Sequence, residues 1–443
     1  MKHLLKKIIP KFVWQFYHLS LAYLATLYYK FPSNKLIVVG VTGTAGKSTT
    51  VNLIARVLES AGYKVGLSST LNFKIGKKEW INRTKMTMLG RFALQRLLRK
   101  MVKEDCQYAI IETSSEGIKQ FRHLGINYDV LVFTNLTPEH IESHGSFEKY
   151  RQAKLKLFQR LMKMRRKKIK GKLIKKGMIV NLDDENVSYF LKYPADFVWG
   201  FSLSREKAEK FPSLSFLCPE NLKFVYGKAQ FSLFGYNFNL NLPGKFNLYN
   251  CLAAICLGLS QDIPLEKIRD ALERIDYLPG RMEKINLGQP FEIVVDYAHT
   301  PESLKQVYQL LRPLVKGKMI AVLGSCGGGR DKAKRPKLGA LAAQYADIVI
   351  ITNEDPYDED PWEIIHQVAQ GAQLIGKKVF KILDRKEALE KAITLAKDND
   401  LIVVTGKGSE QWIVGPRGKK IPWDDRRVIK EILEKRKNIL DKN

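Results

Sequence analysis

The chain has 443 residues, of which 45% are hydrophobic, so it can form two or three domains with a core each. Its 74 lysines and arginines against 45 acidic residues give a formal net charge of +29, which attracts nucleotides, nucleic acids or an anionic membrane. The lysines are spread along the whole chain, so a solvated surface explains the excess equally well, and we predict no nucleic-acid partner. Five cysteines without a CxxC pair argue against a disulfide framework or a zinc site and favour a reducing cytoplasm.

Residues 1–35 form a basic, aromatic segment in which residues 12–29 carry no charged side chain. The segment has no clear cleavage site and lies at the lower length limit for a membrane span. As a span it would place the rest of the chain outside the cell by the positive-inside rule. Two interpretations remain: a helix packed on the protein's own core, and an interfacial helix that brings residues 1–30 to the inner face of the membrane. The aromatic residues and flanking lysines favour the second.

The rest of the chain alternates between short apolar runs rich in β-branched residues and helical stretches. This alternation is typical of βαβ units and predicts an α/β fold with parallel sheets. Polar residues and glycines follow the runs directly, where open α/β sheets bind their ligands. The apolar runs are 36–39, 108–111, 130–133, 293–295, 319–323, 348–351 and 401–404.

The series of apolar runs is too long for one sheet, and a break is expected near residues 277–280. We predict a P-loop-type parallel-sheet domain over residues 36–278 and a Rossmann-like α/β domain over residues 279–443. Within the first of these, residues 201–242 contain alternating apolar and polar residues. That pattern predicts an antiparallel appendage.

A glycine-rich loop between the first strand and the following helix is the strongest local motif. Backbone N–H groups and the helix N-terminus can bind phosphate oxygens there. Lys47 is expected to neutralise the β- and γ-phosphates, and the Ser48 hydroxyl to bind Mg²⁺. The spacing departs from the usual Walker A form because Val41 stands at the position of its first glycine. The loop comprises Gly43, Thr44, Ala45, Gly46, Lys47, Ser48 and Thr49.

Two later strand ends carry candidate metal or catalytic residues. Glu112 follows a buried strand and suits a Mg²⁺ site or a helix cap. Thr134 and Asn135 follow the next strand, and His140 and His144 come shortly after. Two histidines this close together, in a chain with only 7, make His140 a candidate metal ligand.

The run from residue 134 to 158 resembles the Mur ligase superfamily, in its branch of UDP-N-acetylmuramoyl dipeptide ligases called MurE. In that family a Tyr-x-x-Ala-Lys motif follows the histidines, here Tyr150 to Lys154. The family lysine carries a carbamate formed from CO₂, an anionic oxygen ligand that helps to hold Mg²⁺. The resemblance therefore implies ATP and Mg²⁺ as cofactors and a carbamylated Lys154, and a catalytic set of Lys47, Glu112, His140, Lys154 and Arg281.

Further motifs follow in the family's order. The resemblance implies that Asn247 and Asn250 contact the nucleotide and that Arg281, after Leu-Pro-Gly, reaches the phosphates. The segment Asp-Tyr-Ala-His-Thr-Pro places Asp296 and His299 beside the nucleotide by the same analogy. From the residues alone, the asparagines are equally well explained as a helix cap.

The amino-acid site is implied by three segments near the end of the chain. Arg330 aligns with an arginine that holds the amino acid's carboxylate, and Gly406 and Glu410 belong to a Gly-Lys-Gly-Ser-Glu motif in which Ser409 replaces a family histidine. Diaminopimelate-adding members carry Asp-Asn-Pro-Arg where this chain has Asp355 and Tyr357 in Glu-Asp-Pro-Tyr. Diaminopimelate is therefore disfavoured, and Asp355 suggests a cationic side chain such as lysine. Thr87 and Ser114 are further candidate substrate-binding residues.

The resemblance implies an ATP-dependent ligase that adds a free amino acid to a UDP-N-acetylmuramoyl-peptide-like acceptor through an acyl phosphate, in the cytoplasm. The family normally begins with a domain that binds the uridine nucleotide, whereas the P-loop here already begins at Gly43. We therefore expect that domain to be absent and the acceptor to be recognised through its sugar and peptide, or at the membrane. The alternatives are a pseudomurein-type or folylpolyglutamate-type ligase, and a membrane-associated ATP-binding protein without catalysis.

Overall fold

The computed structural model describes residues 11–139 and 141–440. It begins with helix α1 (Lys11–Tyr28), followed by a short 3₁₀ helix (Pro32–Lys35). The small side chains of Ala22, Ala25 and Thr26 are buried against the protein. The helix predicted for the N-terminal segment is thus confirmed over the described residues, and none of the helices described is long and apolar enough to cross a membrane.

A nine-stranded sheet forms the first half of the chain. Seven of its strands are mutually parallel. Two further strands extend one edge, each pairing antiparallel with its neighbour. Its spatial order is β11-β10-β9-β6-β1-β5-β2-β3-β4, while β7 and β8 pair in a separate hairpin. The strands of this half are β1 (Ile37–Thr42), β2 (Val65–Ser68), β3 (Asn72–Ile75), β4 (Lys78–Ile81), β5 (Tyr108–Glu112), β6 (Val130–Phe133), β7 (Lys168–Ile169), β8 (Lys172–Leu173), β9 (Gly177–Asn181), β10 (Phe197–Phe201) and β11 (Ser215–Leu217).

Helices cover both faces of this sheet, which is why its central strands are continuously apolar. Side chains of a strand alternate between its two faces, so Val39 and Val41 enter one core while Val38 enters the other. The helices of this half are α2 (Lys47–Ser60), α3 (Arg91–Lys103), α4 (Ser115–Lys119), α5 (Ile141–His144), α6 (Phe147–Leu161), α7 (Val187–Leu191), α8 (Arg205–Glu209), α9 (Lys245–Ser260) and α10 (Leu265–Glu273).

The predicted antiparallel appendage is confirmed, although it is shorter than expected. Three antiparallel strands, β12 (Glu220–Val225), β13 (Lys228–Leu233) and β14 (Tyr236–Pro243), form a separate sheet. The earlier part of the predicted stretch, including β11, extends the main parallel sheet instead. The apolar residues of β13 and β14 join the core that also contains α2 and α9.

The second half of the chain forms a six-stranded sheet that is parallel except for its short first strand. Its spatial order is β15-β16-β20-β17-β18-β19, and β21 pairs with β22 in a hairpin. These strands are β15 (Glu283–Lys284), β16 (Glu292–Val295), β17 (Met319–Leu323), β18 (Ile348–Thr352), β19 (Lys378–Ile382), β20 (Leu401–Val404), β21 (Trp412–Val414) and β22 (Lys420–Pro422). The helices are α11 (Pro301–Leu311), α12 (Lys334–Tyr345), α13 (Pro361–Gln373), α14 (Arg385–Leu395) and α15 (Asp425–Leu440), with 3₁₀ turns at Arg312–Leu314 and Pro416–Gly418.

The predicted α/β class with two parallel sheets is therefore confirmed. The chain passes from one sheet to the other between α10 and β15, which surrounds the break expected near residues 277–280. The domain boundaries at residues 278 and 279 themselves stay a prediction.

A buried ion pair fixes α15 against the second sheet. The Arg385 guanidinium donates to both Asp425 oxygens at 2.7 and 2.8 Å, and to the backbone carbonyls of Asn353 and Thr405. Both charged side chains have 0% exposure. The pair thereby ties together the loops that follow β18 and β20.

We expect Asp425→Asn to lower the free energy of unfolding by about 3–5 kcal/mol, because it leaves the Arg385 charge buried without its counter-ion. Urea unfolding followed by circular dichroism measures the change. Glu209→Gln is the matched control, since Glu209 pairs with Arg205 on an exposed helix and such pairs contribute little. Equal stability of the two variants would contradict the prediction.

Candidate functional site

Three loops meet at the carboxyl edge of the first sheet because their strands are neighbours. Strand β1 lies between β5 and β6, and Val41 is level with Glu112 while Thr42 is level with Phe133. The glycine-rich loop after β1, the loop after β5 and the loop after β6 therefore emerge side by side. The topology thus brings together three segments that the sequence identified separately.

The glycine-rich loop is fixed by the residues that follow β6. The side chain of Asn135 accepts from Ala45 N at 2.9 Å, and its backbone carbonyl accepts from Thr44 N at 2.9 Å. Thr134 Oγ1 donates to Ala45 O at 2.8 Å. These bonds hold the loop in one conformation, which prepares its remaining N–H groups to bind an anion.

Two glycines of the loop are required by close contacts. A Cβ on Gly43 would overlap Thr134 Oγ1, and a Cβ on Gly46 would overlap Asn250 Oδ1. Gly46 also has φ +79°, in the left-handed region. Asn250 in turn accepts from Thr50 Oγ1 at 3.2 Å and donates to Asn247 Oδ1 at 3.3 Å, so both predicted asparagines lie beneath the start of α2.

Glu112 lies beside the start of α2. Its carboxylate is 2% exposed and accepts from Ser48 Oγ at 2.8 Å, from Thr70 N at 2.6 Å and from Thr70 Oγ1 at 3.0 Å. Thr70 Oγ1 also lies 3.0 Å from Thr87 Oγ1, whose hydroxyl can donate to it. Thr70 was missed by the sequence analysis, and nothing in its sequence context distinguishes it from other loop threonines.

Lys154 is a buried lysine on α6, directly below the glycine-rich loop. It is 1% exposed and its Nζ donates to Gly43 O at 2.7 Å. Burial, with the nearby Lys47 charge, holds the pKa of Lys154 well below its ordinary value, although Glu139 and Glu112 oppose the shift. Because its pKa is lowered, a larger fraction of this lysine is the neutral amine. Lys47 itself donates to Thr44 O at 2.7 Å.

The residues around Ser48 and Glu112 fit a magnesium ion. The Ser48 hydroxyl and the Glu112 carboxylate are adjacent oxygen ligands beside a phosphate-binding loop, and Mg²⁺ uses few protein ligands together with phosphates and water. Among residues 11–139 and 141–440, no three His, Cys, Asp or Glu side chains are arranged to hold a metal by themselves. His140 lies outside the described residues, and the neighbouring His144 ring contacts Ser115 Oγ at 3.2 Å.

Ser114 lies at the end of the loop after β5, where it caps α4. Its Oγ accepts from Gly117 N at 3.1 Å. The structure thus gives Ser114 a capping role at the same edge of the sheet as Glu112.

The second half of the chain brings Arg281, Asp296 and His299 together. The Arg281 guanidinium lies 4.2 Å from the centre of the Tyr297 ring. Asp296 accepts from Met282 N and Ala298 N at 2.8 and 2.7 Å, and burial raises its pKa although the Arg281 charge opposes this. His299 faces Glu139 of the first half at 3.7 Å, and burial, followed by the charge of Lys334, lowers the pKa of His299 to about 4.

A ring of four charges joins the two halves across a narrow cleft. Lys85, in the loop after β4, pairs with Asp355 and, at 2.9 Å, with Glu410. Lys407 pairs with the same two carboxylates at 3.0 and 2.7 Å. Burial opposes ionisation of Asp355, but the charges of Lys407 and Lys85 hold its pKa below the usual range. The cleft beside this ring is lined by residues of both halves, including Thr70, Lys85, Arg281, Tyr297 and Glu410.

The remaining predicted amino-acid contacts lie around this ring. Tyr357 follows Asp355 and donates its N–H to Val414 O at 3.0 Å. Gly406 lies against Glu354, whose Oε1 accepts from Cys326 while its buried Oε2 has no hydrogen-bond partner in the part of the chain that the structure describes. Arg330 is exposed on the glycine-rich loop after β17.

Lys85, Lys407 and Glu354 were missed by the sequence analysis. Lys407 and Glu354 lie inside motifs that the sequence analysis had identified, so those motifs could have pointed to both residues. Lys85 is one lysine among many in a basic chain, and no local pattern marks it.

The chain matches two protein-family models in order. Residues 41–258 match the Mur ligase middle domain, and residues 280–408 match the Mur ligase glutamate ligase domain. A UDP-N-acetylmuramyl-tripeptide synthetase of Roseiflexus is 36% identical over 441 residues, covering 93% of this chain and 82% of that protein.

Solved structures show the same fold. A UDP-N-acetylmuramoyl-L-alanyl-D-glutamate–2,6-diaminopimelate ligase is 30% identical with a TM-score of 0.58, over 90% of this chain and 79% of the other. A pseudomurein peptide ligase type C from Methanothermus fervidus has a TM-score of 0.61 at 20% identity, over 90% of this chain and 79% of the other, and at that identity supports the fold alone. Both family models and a relative this similar over almost the whole chain identify it: the chain belongs to the Mur ligase family.

Proposed function

We propose that the chain is an ATP-dependent ligase that adds the third amino acid to a UDP-N-acetylmuramoyl-dipeptide-like acceptor in peptidoglycan precursor synthesis. The observation that carries the proposal is the convergence of the glycine-rich loop, Glu112 and Lys154 at one edge of the first sheet, facing the charged ring of the second half. The relative named a tripeptide synthetase supports the same reaction.

The proposed reaction has three steps. The acceptor carboxylate attacks the γ-phosphorus of ATP, so an acyl phosphate forms and ADP leaves. The neutral amine of the amino acid then attacks the acyl carbon and loses a proton. The tetrahedral intermediate finally expels phosphate and leaves the amide. Positioning and charge neutralisation supply most of the catalysis in such a reaction.

Each residue of the loop edge has a proposed part in this chemistry. Lys47 and the loop N–H groups bind the phosphates, and Arg281 reaches them from the second half. Ser48 and Glu112, with His140 and a modified Lys154, would hold Mg²⁺. A bound Mg²⁺ would neutralise the charge of the β- and γ-phosphate oxygens. Asn247, Asn250, Asp296 and His299 are proposed to support the nucleotide.

We propose that Lys154 carries a carbamate. Its pKa is lowered by burial and by Lys47, so a neutral amine is available to attack CO₂, forming an N–C bond and releasing one proton. The product is an anionic oxygen ligand in place of the buried amine. Its negative charge is attracted to the Lys47 ammonium, whereas a protonated Lys154 would be repelled by it.

The charged ring supports an amino acid with a cationic side chain. Asp355, which suggested this preference, is already paired with two lysines of the chain, so it provides no empty anionic site alone. However, the neighbouring Glu354 carboxylate has a buried Oε2 without a hydrogen-bond partner among the described residues, and this oxygen lies against Gly406. It is the acceptor available to a cationic side chain. Tyr357 in place of an arginine still disfavours diaminopimelate.

The alternative functions have less support than the tripeptide ligase. The pseudomurein-type structure is only 20% identical, against 36% for the tripeptide synthetase. A non-catalytic ATP-binding protein would have no need for a buried Lys154 and Glu112 beside the loop. We also propose that the chain acts in the cytoplasm, where ATP is available, and contacts the inner face of the membrane through its N-terminal segment.

We expect sustained ADP release to require Mg²⁺-ATP, UDP-N-acetylmuramoyl-dipeptide and one amino acid together, because the acyl phosphate forms only on a bound acceptor and the enzyme turns over only when an amine consumes it. A panel that includes lysine, ornithine, alanine and diaminopimelate identifies the amino acid in a coupled ADP assay. Lys154→Ala should reduce kcat at least about 100-fold, while Lys156→Ala, which changes an exposed lysine on the same helix, should not. Release that is independent of amino acid and acceptor would contradict the ligase assignment.

We expect the Lys154 carbamate to be trapped chemically. Incubation with bicarbonate followed by alkylation with a trialkyloxonium salt converts a carbamate to a stable ester, which mass spectrometry locates on a peptide. The ester should appear on the peptide containing Lys154 and disappear in Lys154→Ala. An unmodified Lys154 in active enzyme would overturn the carbamate while leaving the ligase proposal intact.

We expect Gly46→Ala to weaken ATP binding at least about tenfold, a loss of about 1.4 kcal/mol. The added Cβ would overlap Asn250 Oδ1 and so displace the loop N–H groups. Gly62→Ala is the matched control, because Gly62 has φ +85° but no neighbour within 4 Å of an added Cβ. It shares the backbone strain without the contact and should bind ATP normally. Fluorescence titration with an ATP analogue measures both, and equal affinities would count against the proposed nucleotide site.

A further inference from the structure

Helix α1 exposes seven of its larger apolar side chains, whereas the side chains that it buries completely are small. Of the 23 exposed large apolar side chains among the described residues, seven lie on this helix. In a water-soluble protein the apolar stripe of a helix faces the core. Helix α1 instead turns much of its apolar surface outward, which is unfavourable if that surface contacts only water.

The buried side of α1 is a close, specific contact. Ala22, Ala25 and Thr26 are at most 1% exposed, and Thr26 packs directly against Gly125, where a Cβ would overlap its hydroxyl. The helix is thus docked on the first half of the chain through its small side chains. Its outer face is fixed in direction by that contact.

The outer face of α1 forms an apolar stripe that is interrupted at Ser20. Its residues lie on one helical face, and Phe92 of α3 extends it, because the Phe92 ring lies 6.4 Å from that of Tyr28. The stripe comprises Val13, Phe16, Tyr17, Tyr23, Leu24, Leu27 and Tyr28, with exposures from 39 to 72%.

Basic side chains lie beside the stripe, and the stripe itself contains no acidic residue. Arg96, Lys100 and Lys103 are exposed and lie on the same face of α3 as Phe92, at spacings of four, eight and eleven residues. Lys30 is exposed beyond the end of α1. The sequence contains no Asp or Glu from residue 1 to residue 58, and none within α3.

Resting on the membrane contact proposed above, we propose that α1 and the basic face of α3 form a docking surface for an anionic lipid bilayer, with the stripe inserted at the level of the headgroups. An apolar stripe bordered by lysine and arginine is the pattern by which interfacial helices bind such membranes. The aromatic rings suit the boundary between headgroups and acyl chains. An apolar protein partner would account for the stripe but not for the basic residues Arg96, Lys100 and Lys103 on the same face as Phe92.

The test is flotation of the full-length chain with vesicles of phosphatidylcholine alone and of phosphatidylcholine mixed with phosphatidylglycerol. We expect binding to the mixed vesicles only, and weaker binding at high salt because the electrostatic part is screened. The combined variant Phe16→Ser, Leu24→Ser and Leu27→Ser should bind at least about tenfold more weakly. Leu374→Ser with Ile375→Ser, which removes exposed apolar residues of the second half, is the matched control and should bind like the wild type.

A second variant tests the basic border separately. Arg96→Glu with Lys100→Glu should weaken binding to the mixed vesicles at least about tenfold, while Lys377→Glu with Lys397→Glu, an equal charge change at exposed lysines far along the chain, should have a smaller effect. Absence of wild-type binding to either vesicle would overturn the proposal, as would equal binding by the stripe variant. A lipid-free dimer that the stripe variant dissociates, without vesicle binding, would assign the surface to a second copy of the chain.

Discussion

The site depends on one constraint of the first sheet, namely that β5, β1 and β6 are adjacent and parallel. Their carboxyl ends therefore lie side by side, and Glu112, Gly43 and Thr134 come together without any long side chain having to span a gap. The close packing of Gly43 against Thr134 and of Gly46 against Asn250 leaves no room for larger residues. The loop conformation is thus set by backbone contacts and by neighbours from two strands and from α9.

Two buried side chains next to that loop, Lys154 and Glu112, set the electrostatics of the site. Burying a lysine is costly unless it is paired or loses its proton, and Lys154 is buried beside a second cation, Lys47. Glu112, by contrast, is fully satisfied by hydroxyl and N–H donors. The edge therefore combines one buried, hydrogen-bonded carboxylate with one buried lysine that is better accommodated as a neutral amine or as a carbamate. That combination suits phosphate chemistry better than a structural role.

The fold class and the loop edge were predictable because they rest on local patterns. Apolar runs with polar ends predict parallel strands, and Gly43 to Thr49 predict phosphate binding wherever such a loop precedes a helix. The predicted appendage began too early in the chain, because the sequence of β11 does not reveal that its neighbour is the parallel strand β10. Lys85 and Thr70 were not predictable, since their roles arise only when distant segments meet. The special place of Lys154 came from resemblance alone; its burial became visible only in the structure.

Two kinds of contact join the halves. Phe246 of the first half packs on the apolar core of the second, whereas the groups around the cleft are polar, and this bears on how the cleft can work. Lys85 reaches Asp355 and Glu410, Trp412 Nε1 donates to Arg83 O, and Lys332 N donates to Glu142. Groups of this kind recover their hydration when an interface opens, so separation costs less than for an apolar interface of similar size. A closed cleft excludes water from a reactive acyl phosphate, but it must open to admit two substrates. At the cleft, a charged contact permits both states, whereas a hydrophobic contact there would favour permanent closure.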